Sequence, residues 1–159
     1  MLGNEDTFDA ICTLLDEHEL TYRHVKHQAT FTSQESAWAR GEDIKVGAKS
    51  LLMKVDEDFK IFVLSAAKKL DSKLIRKNFG AKKSRFATPE ELAEMTGLVP
   101  GSVPPFGEPI LPFPLYLDPS VKENEKVAFN AGLLTDSIIL ATSDYLTVAK
   151  GDFFVFSEG

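Results

Sequence analysis

The chain has 159 residues, of which 43% are hydrophobic and 26% charged, and its formal net charge is −6. This length is sufficient for one domain whose hydrophobic core needs no disulfide or metal. The single cysteine, Cys12, excludes an internal disulfide framework and suits a reducing compartment. No apolar run approaches the roughly 20 residues that cross a bilayer, and the acidic N-terminus lacks the layout of a signal peptide. We expect one cytosolic domain over residues 1–159 with no membrane contact.

The sequence of the N-terminal half predicts two helices, a short strand and a hairpin. Apolar residues at helical spacing predict an amphipathic helix over residues 5–19, and the alternation in LTYRHVKH predicts a short strand. In TSQE, Thr32 and Glu35 have the spacing of a capping box, which begins a helix that runs to about Arg40. The runs KSLLMKV and KIFVLSA favour β-structure and are separated by DEDF, so they indicate an antiparallel hairpin.

The middle of the chain predicts two further helices around a brief strand. Leu70, Leu74 and Ile75 have helical spacing, and the strand SRFA follows. Thr88 then precedes proline and glutamate at capping positions, which predicts a helix that ends at Gly97.

The C-terminal third predicts four strands and one short helix. PLYLDP, EKVAFNAG, DSIILA and DFFVF are the strand candidates, and SDYLTVAK is a helix capped by Ser143. Helices and strands intermix without regular βα alternation. We therefore expect an α+β fold with a mixed, mostly antiparallel sheet of six to eight strands surrounded by helices.

Basic residues concentrate between residues 68 and 85. This basic window holds eight of the eighteen lysines and arginines and one acidic residue, Asp71. On the predicted helix, Lys73, Arg76 and Lys77 can face outward. Such a surface could attract phosphate groups, but the same pattern is typical of a solvated helix face, and charge alone does not separate the two.

Residues that commonly carry chemistry are sparse. The histidines lie within the first 27 residues without zinc-motif spacing, and the chain lacks a Walker loop, a dinucleotide fingerprint and a G-x-S-x-G elbow. Cys12 lies on the apolar stripe of the first helix, as a core thiol does. We expect no metal and no cofactor. Lys49 precedes an apolar run and is either an edge lysine that reaches solvent or a cation directed into a cleft.

The segment TGLVPGSVPPFG, residues 96–107, is long and apolar for a connector. Gly101 can adopt a positive φ and lets a ligand approach the backbone. Pro104 and Pro105 fix the neighbouring backbone. The segment could present backbone N–H groups to a carbonyl or phosphate, or it could be an ordered crossover without a ligand.

Two motifs together resemble the YbaK/prolyl-tRNA-synthetase-associated domain family. AKSLLMK matches the family's lysine before Thr/Ser/Asn-Leu with Lys49, Ser50 and Leu51, and GSVPP matches its G-x-x-x-P loop. HQATFTSQESA and FNAGLLTDSIILATSDYL are similar to two further segments of the family, although Ala29 stands where a proline is often found. The similarity covers roughly residues 5 to 157.

The resemblance implies hydrolysis of the ester that links a wrong amino acid to the terminal adenosine of tRNA, most often tRNA for proline. The family has no consistent nucleophilic side chain, so the expected attacker is a water that the free hydroxyl of the terminal ribose helps to position. Lys49 would stabilise charge at the ester or the neighbouring phosphate. The substrate-binding residues that the resemblance implies are Thr30, Phe31, Ser50, Gly101, Ser102, Val103, Pro104, Pro105, Asp136 and Ser137.

Several alternatives stay open at this point. Asp136 could instead cap a turn, and the amino acid removed could be alanine, cysteine, serine or threonine. Lys73, Arg76 and Lys77 would contact the acceptor-stem backbone, and prolyl-tRNA synthetase is a second expected partner. The alternative function is a non-catalytic tRNA- or synthetase-binding module of the same fold, and a third is a small-molecule pocket unrelated to RNA. Lys49 together with an intact 101–105 loop favours the enzyme.

Overall fold

The computed structural model describes residues 2–159, which form five α-helices and eight β-strands. The helices are α1 (Glu5–Glu17), α2 (Ser33–Arg40), α3 (Ser72–Phe79), α4 (Pro89–Thr96) and α5 (Thr142–Ala149). The strands are β1 (Tyr22–Lys26), β2 (Ala48–Val55), β3 (Asp58–Ser65), β4 (Ser84–Phe86), β5 (Leu115–Leu117), β6 (Lys126–Leu133), β7 (Asp136–Ala141) and β8 (Asp152–Phe153). Short 3-10 turns cover Ile44–Val46 and Pro119–Glu123. Within residues 2–159, none of the helices has the length and apolar character required to cross a membrane.

The strands form two sheets. One has the order β1–β7–β6 and is antiparallel throughout. The other has the order β4–β2–β3–β5–β8, with β3, β5 and β8 running parallel and the remaining pairs antiparallel. The predicted α+β class, the mostly antiparallel pairing and the hairpin of β2 and β3 are confirmed.

The prediction of a single sheet is wrong, because strand patterning in a sequence does not specify which strands pair. Within residues 2–159, the backbone pairing between the two sheets is limited to one isolated parallel bridge, between Gly47 and Ala128. The last strand is also shorter than predicted. Of the run DFFVF, only Asp152 and Phe153 pair with β5, while Phe156 turns into the core at 0% exposure.

Two of the three predicted helix caps are confirmed. Capping boxes begin α2 at Thr32 and α4 at Thr88. The cap assigned to Ser143 is wrong, since α5 begins at Thr142 and its N-cap residue, Ala141, makes no side-chain hydrogen bond. Thr142 replaces the cap with two bonds to the preceding loop: its Oγ1 donates to the Asn124 carbonyl at 2.6 Å and its amide donates to the Glu125 carbonyl at 2.9 Å.

Both faces of β2 are covered, which fixes the position of its first residues. Leu52 belongs to the main core, which also contains buried residues of α1, both sheets and the 98–111 segment. Met53 and Val55 face the other way and pack with Ile75 of α3 in a second cluster. Buried positions that alternate along a strand define its orientation, so the residues at the start of β2 are held rigidly.

The three-stranded sheet separates neighbouring polar residues of β7 onto opposite faces. Asp136 bonds to His24, whose ring packs against Phe8 of α1 at a centroid distance of 4.9 Å. Ser137 instead bonds to Arg40 of α2. The period of two along a strand produces this division. Ser137 therefore lies on the face of the sheet that packs toward α2, and Asp136 lies on the opposite face.

Asp118 ties the C-terminal segment to the end of β5. This carboxylate is 1% exposed and accepts hydrogen bonds from the Phe156 amide at 2.8 Å and from the amides of Ser157 and Ser120, each at 3.0 Å. Burial raises the pKa of Asp118, but the hydrogen bonds outweigh burial and hold the pKa below its usual value. The negative charge of Asp118 is therefore part of the folded structure.

Candidate active site

A cleft of about 210 Å³ opens between α2, the start of β2 and the loop after α4. Residues distant in sequence form its walls: the segment around α2 from Thr30 to Arg40, residues 47–51, Ala66, the loop residues Gly101 and Val103, and Asn130 of β6. Six of the residues named from the sequence line this cleft, namely Lys49, Ser50, Thr30, Phe31, Gly101 and Val103. The two motifs, fifty residues apart in the chain, therefore meet at one place.

Lys49 is a half-buried cation in the wall of this cleft. Its Nζ donates a hydrogen bond to the Lys68 carbonyl at 2.9 Å, and none of the ion pairs within residues 2–159 includes it. Burial lowers the pKa of Lys49. Of the two interpretations left open by the sequence, the geometry favours a cation directed into a cleft.

The loop after α4 is held rigidly from behind. Ser102 is fully buried, and its Oγ donates to the Val99 carbonyl at 2.9 Å and accepts from the Val99 amide at 3.0 Å. The Tyr145 hydroxyl donates to the Pro105 carbonyl at 2.6 Å, and Ser50 Oγ donates to the Pro104 carbonyl at 3.1 Å. Ser102, Pro104 and Pro105 therefore do not line the cleft but fix the loop that does.

Two backbone N–H groups of this loop have no acceptor among the described residues. Gly101 has φ +90°, and its carbonyl accepts a hydrogen bond from Asn130 Nδ2 at 2.9 Å. Within residues 2–159, the amide groups of Gly101 and Val103 donate to no protein acceptor. Two N–H groups on a rigid loop can stabilise negative charge on a bound carbonyl oxygen.

The floor of the cleft is a polar network that the sequence analysis missed. Arg40, 8% exposed, donates from Nε to Ser137 Oγ at 2.8 Å and from Nη2 to Asn130 Oδ1 at 3.2 Å. Burial lowers the pKa of Arg40 to about 10, against the opposing effect of the Glu42 carboxylate. Ser137 is fully buried behind this floor and does not line the cleft. Asn130 carried a usable signal, since a lone amide inside the apolar strand VAFNAG indicates a buried hydrogen-bond network.

Asp136 lies outside the cleft, on the other face of its sheet. His24 Nε2 lies 2.7 Å from Asp136 Oδ2, and Thr135 Oγ1 donates to Asp136 Oδ1 at 2.6 Å. Asp136 and His24 line a second depression next to α1. The pKa of Asp136 is lowered, because hydrogen bonds from Thr135 and His24 outweigh the raising effect of burial. Asp136 therefore lies away from the substrate-binding candidates that line the cleft.

The basic window begins beside the cleft, because the backbone carbonyl of its first residue, Lys68, accepts the hydrogen bond from Lys49 Nζ. Lys73 and Lys77 on α3 are exposed. Arg76 is half-buried, and its Nη1 donates to Ser84 Oγ of β4 at 2.9 Å. The outward orientation predicted from the sequence thus holds for the two lysines, while Arg76 connects α3 to β4.

Comparison with known proteins shows which family has this arrangement. The family described as the aminoacyl-tRNA editing domain matches residues 27–148, which include every wall of the cleft. This chain belongs to the aminoacyl-tRNA editing domain family. The YbaK-type resemblance drawn from the sequence motifs is confirmed.

The relatives of this editing domain include free-standing proteins and longer synthetases. The Ser/Thr-tRNA deacylase ProXp-y of Escherichia coli (strain K12) is 33% identical over 156 residues, which cover 94% of this chain and 92% of the relative. A proline–tRNA ligase of Shouchella clausii (strain KSM-K16) is 30% identical over 76% of this chain, but the match covers 23% of that ligase. A crystal structure of a candidate trans-editing enzyme for prolyl-tRNA synthetase superposes with a TM-score of 0.82 at 26% identity, over 96% of this chain and 98% of the other.

The cleft of this editing domain contains no side chain that acts as a conventional general base. Among the described residues, its lining includes no histidine, cysteine, aspartate or glutamate. It provides instead hydroxyl groups, two cations and the free amides of Gly101 and Val103. Such a set can bind and polarise an ester but leaves the attacking water to be oriented by another group.

Proposed function

We propose that this protein is a cytoplasmic trans-editing deacylase, a single domain over residues 1–159 that hydrolyses the ester of mischarged aminoacyl-tRNA. The observation that carries the proposal is the meeting of Lys49 with the free amides of Gly101 and Val103 at one cleft in a member of the editing family. The cleft volume of about 210 Å³ lies below the roughly 300–1,000 Å³ typical of drug-sized ligands. A cleft of this size can hold a small aminoacyl group.

The reaction is attack of water on the carbonyl carbon of the ester. A bond forms from the water oxygen to this carbon, the bond from the carbon to the ribose oxygen breaks, and a proton from water passes to the ribose oxygen. The products are a free amino acid and tRNA with its terminal hydroxyl restored. Among the described residues, no histidine or carboxylate lines the cleft, so in this proposal the free hydroxyl of the terminal ribose positions the water. The ester is already activated, and its orientation in the cleft accelerates the reaction.

Each wall of the cleft has a separate task in this reaction. The amides of Gly101 and Val103 stabilise the negative charge that develops on the carbonyl oxygen. The Lys49 ammonium stabilises charge at the ester or at the neighbouring phosphate. Ser50 keeps the loop against β2 through its bond to Pro104, and Thr30 and Phe31 contact the acyl group and the ribose from the α2 side.

The tRNA body lies along the basic window. Lys73 and Lys77, supported by Arg76, contact phosphates of the acceptor stem, which gives salt-dependent and largely sequence-independent affinity. We assign tRNA for proline as the substrate and prolyl-tRNA synthetase as a partner, by analogy with the relatives that carry those names. Seryl and threonyl groups are the proposed acyl groups, because the relative matching 94% of this chain is a Ser/Thr-tRNA deacylase.

The second candidate function is a tRNA-binding module of the same fold without hydrolysis. The absence of a side-chain base from the cleft is the observation that favours it. The test is a deacylation panel with alanyl-, cysteinyl-, seryl- and threonyl-tRNA for proline. We expect release of serine and threonine well above the rate of spontaneous hydrolysis. Tight binding with no release from all four substrates would support the binding module and contradict the enzyme.

A further inference from the structure

Arg40 is a buried cation without a carboxylate partner. It is the last residue of α2, is 8% exposed, and takes part in none of the ion pairs found within residues 2–159. Burying a guanidinium group is costly unless hydrogen bonds or an anionic group compensate it. Packing alone therefore does not account for a cation at this position.

The hydrogen bonds of Arg40 fix its orientation and leave one end free. Nε donates to Ser137 and Nη2 donates to Asn130, while Nη1 donates to no described residue. Nη1 lies on the side of Gly47, since a Cβ built there would be 3.5 Å from it. Every fully buried side-chain nitrogen in the described residues has a partner, so Nη1 retains access to solvent. Arg40 and Gly47 both line the cleft, so a group bound in the cleft can approach this side of the guanidinium.

Hydroxyl groups line the same cleft as Arg40. Ser36 lies one turn before Arg40 on the same buried face of α2, and its Oγ is 2.7 Å from Thr30 Oγ1. Thr30, Ser36 and Arg40 all line the cleft. A hydroxyl placed here could accept a hydrogen bond from Nη1 and donate one to either of the two hydroxyl oxygens. A methyl group in the same place would leave the Nη1 donor desolvated and unpaired.

We propose that Arg40 is the specificity-determining residue that recognises the hydroxyl of a seryl or threonyl group through Nη1, with Thr30 and Ser36 as the complementary partners. This assignment rests on the proposed deacylase function and deepens it. Lys49 and the amides of Gly101 and Val103 act on the ester, which every aminoacyl group shares. Arg40 acts on the acyl side chain, which differs between substrates.

The test compares seryl- and alanyl-tRNA for proline, which differ by one hydroxyl, as substrates of the wild type and of Arg40→Met. Sites that hydrogen-bond a substrate hydroxyl discriminate strongly against the analogue lacking it, so we expect the ratio of kcat/KM for the seryl substrate to that for the alanyl substrate to fall by about 10- to 100-fold. Arg40 also donates to Asn130, which holds the Gly101 carbonyl, so a further loss is shared by both substrates. Arg23→Met is the matched control. Arg23 lies on β1, is exposed and does not line the cleft, although its Nη2 donates to the backbone carbonyl of Arg40 at 3.4 Å. This substitution should leave the ratio of the two kcat/KM values unchanged.

Two further measurements separate recognition from a folding defect. Arg40→Lys keeps the positive charge but lacks Nη1, and it should also reduce the seryl-to-alanyl ratio. Isothermal titration with hydrolysis-resistant 3′-serylamino- and 3′-alanylamino-adenosine should show a preference for the seryl analogue that is lost in both variants. Equal loss of both substrates, or an unchanged ratio, would overturn the role of Arg40 while leaving the deacylase intact. A wild-type protein that hydrolyses neither substrate would overturn the proposed function together with this inference.

Discussion

Substitution of Gly101 by alanine tests whether the loop backbone orients the substrate. Gly101 has φ +90°, and a Cβ at this position would lie 3.2 Å from Leu134 Cδ2. A left-handed backbone costs an L-residue about 1–2 kcal/mol, and the close contact adds strain that Leu134 can partly relieve by moving. For a chain of this size the loss corresponds to a decrease in Tm of roughly 2–8 °C.

The effect on catalysis should exceed the effect on stability. Relief of the strain moves the carbonyl held by Asn130 and the two free amides, and small misplacements in a catalytic site cost up to about 100-fold in rate. We therefore expect kcat/KM for deacylation of the preferred aminoacyl-tRNA to fall by about 10- to 100-fold. The assay is release of radiolabelled amino acid at substrate concentrations below KM, alongside thermal unfolding followed by circular dichroism.

Gly80 provides the matched control for this substitution. It also has a positive φ, +61°, but it ends α3 and a Cβ there would meet nothing within 4 Å. Gly80→Ala should lose about 1 kcal/mol of stability from the backbone term alone and retain full deacylation. If Gly101→Ala showed the expected decrease in Tm but kept wild-type kcat/KM, the loop would not orient the substrate and that part of the mechanism would be refuted.

Two further predictions concern stability and RNA binding. Asp118→Ala should lower the free energy of unfolding by about 3–5 kcal/mol in urea denaturation, because it leaves buried amides unpaired. Because the pKa of Asp118 is lowered on folding, its stabilising effect is fully present above the unfolded pKa and is lost as the pH falls through the folded pKa. Asp118→Asn should accordingly flatten the acid limb of the stability profile, and an unchanged limb would assign acid sensitivity to other groups. Replacing Lys73 and Lys77 by Glu should weaken tRNA binding and its salt dependence in filter-binding assays while hydrolysis of a small aminoacyl ester persists. The same change at Lys26 and Lys122, outside the basic window, should have a smaller effect, and equal losses in both pairs would argue against a local RNA contact.

Much of the fold could be predicted because local physical signals determined it. The two capping boxes, the hairpin around DEDF and the helix stop at Gly97 each depend on residues a few positions apart, and all are present in the structure. Ser143 failed as a cap because Thr142, one residue earlier, bonds to a loop eighteen residues upstream. The prediction of a single sheet failed for the same reason, since strand pairing is decided by contacts between distant segments.

Residues of the candidate site could be predicted where they belong to a motif. They could not be predicted where only packing between distant segments brings them together. Lys49 and Gly101 belong to motifs, and both line the cleft. Arg40 was taken only as the end of a helix, because nothing local indicates that Ser137 and Asn130, about ninety residues later, receive its hydrogen bonds. Asp136 and Ser137 were both named as substrate-binding residues, but the alternation of β7 directs them to opposite faces of the sheet.

In the proposed mechanism, the cation of Lys49 stabilises charge during hydrolysis of the aminoacyl ester. The most direct measurement is single-turnover deacylation of the preferred aminoacyl-tRNA by Lys49→Ala, with Lys54→Ala as control, because Lys54 is on the same strand but does not line the cleft. Removing a group that stabilises developing charge costs about 100- to 1,000-fold in rate, so we predict such a loss for Lys49→Ala and none for Lys54→Ala. Wild-type deacylation of every mischarged tRNA by a folded Lys49→Ala protein would contradict the account.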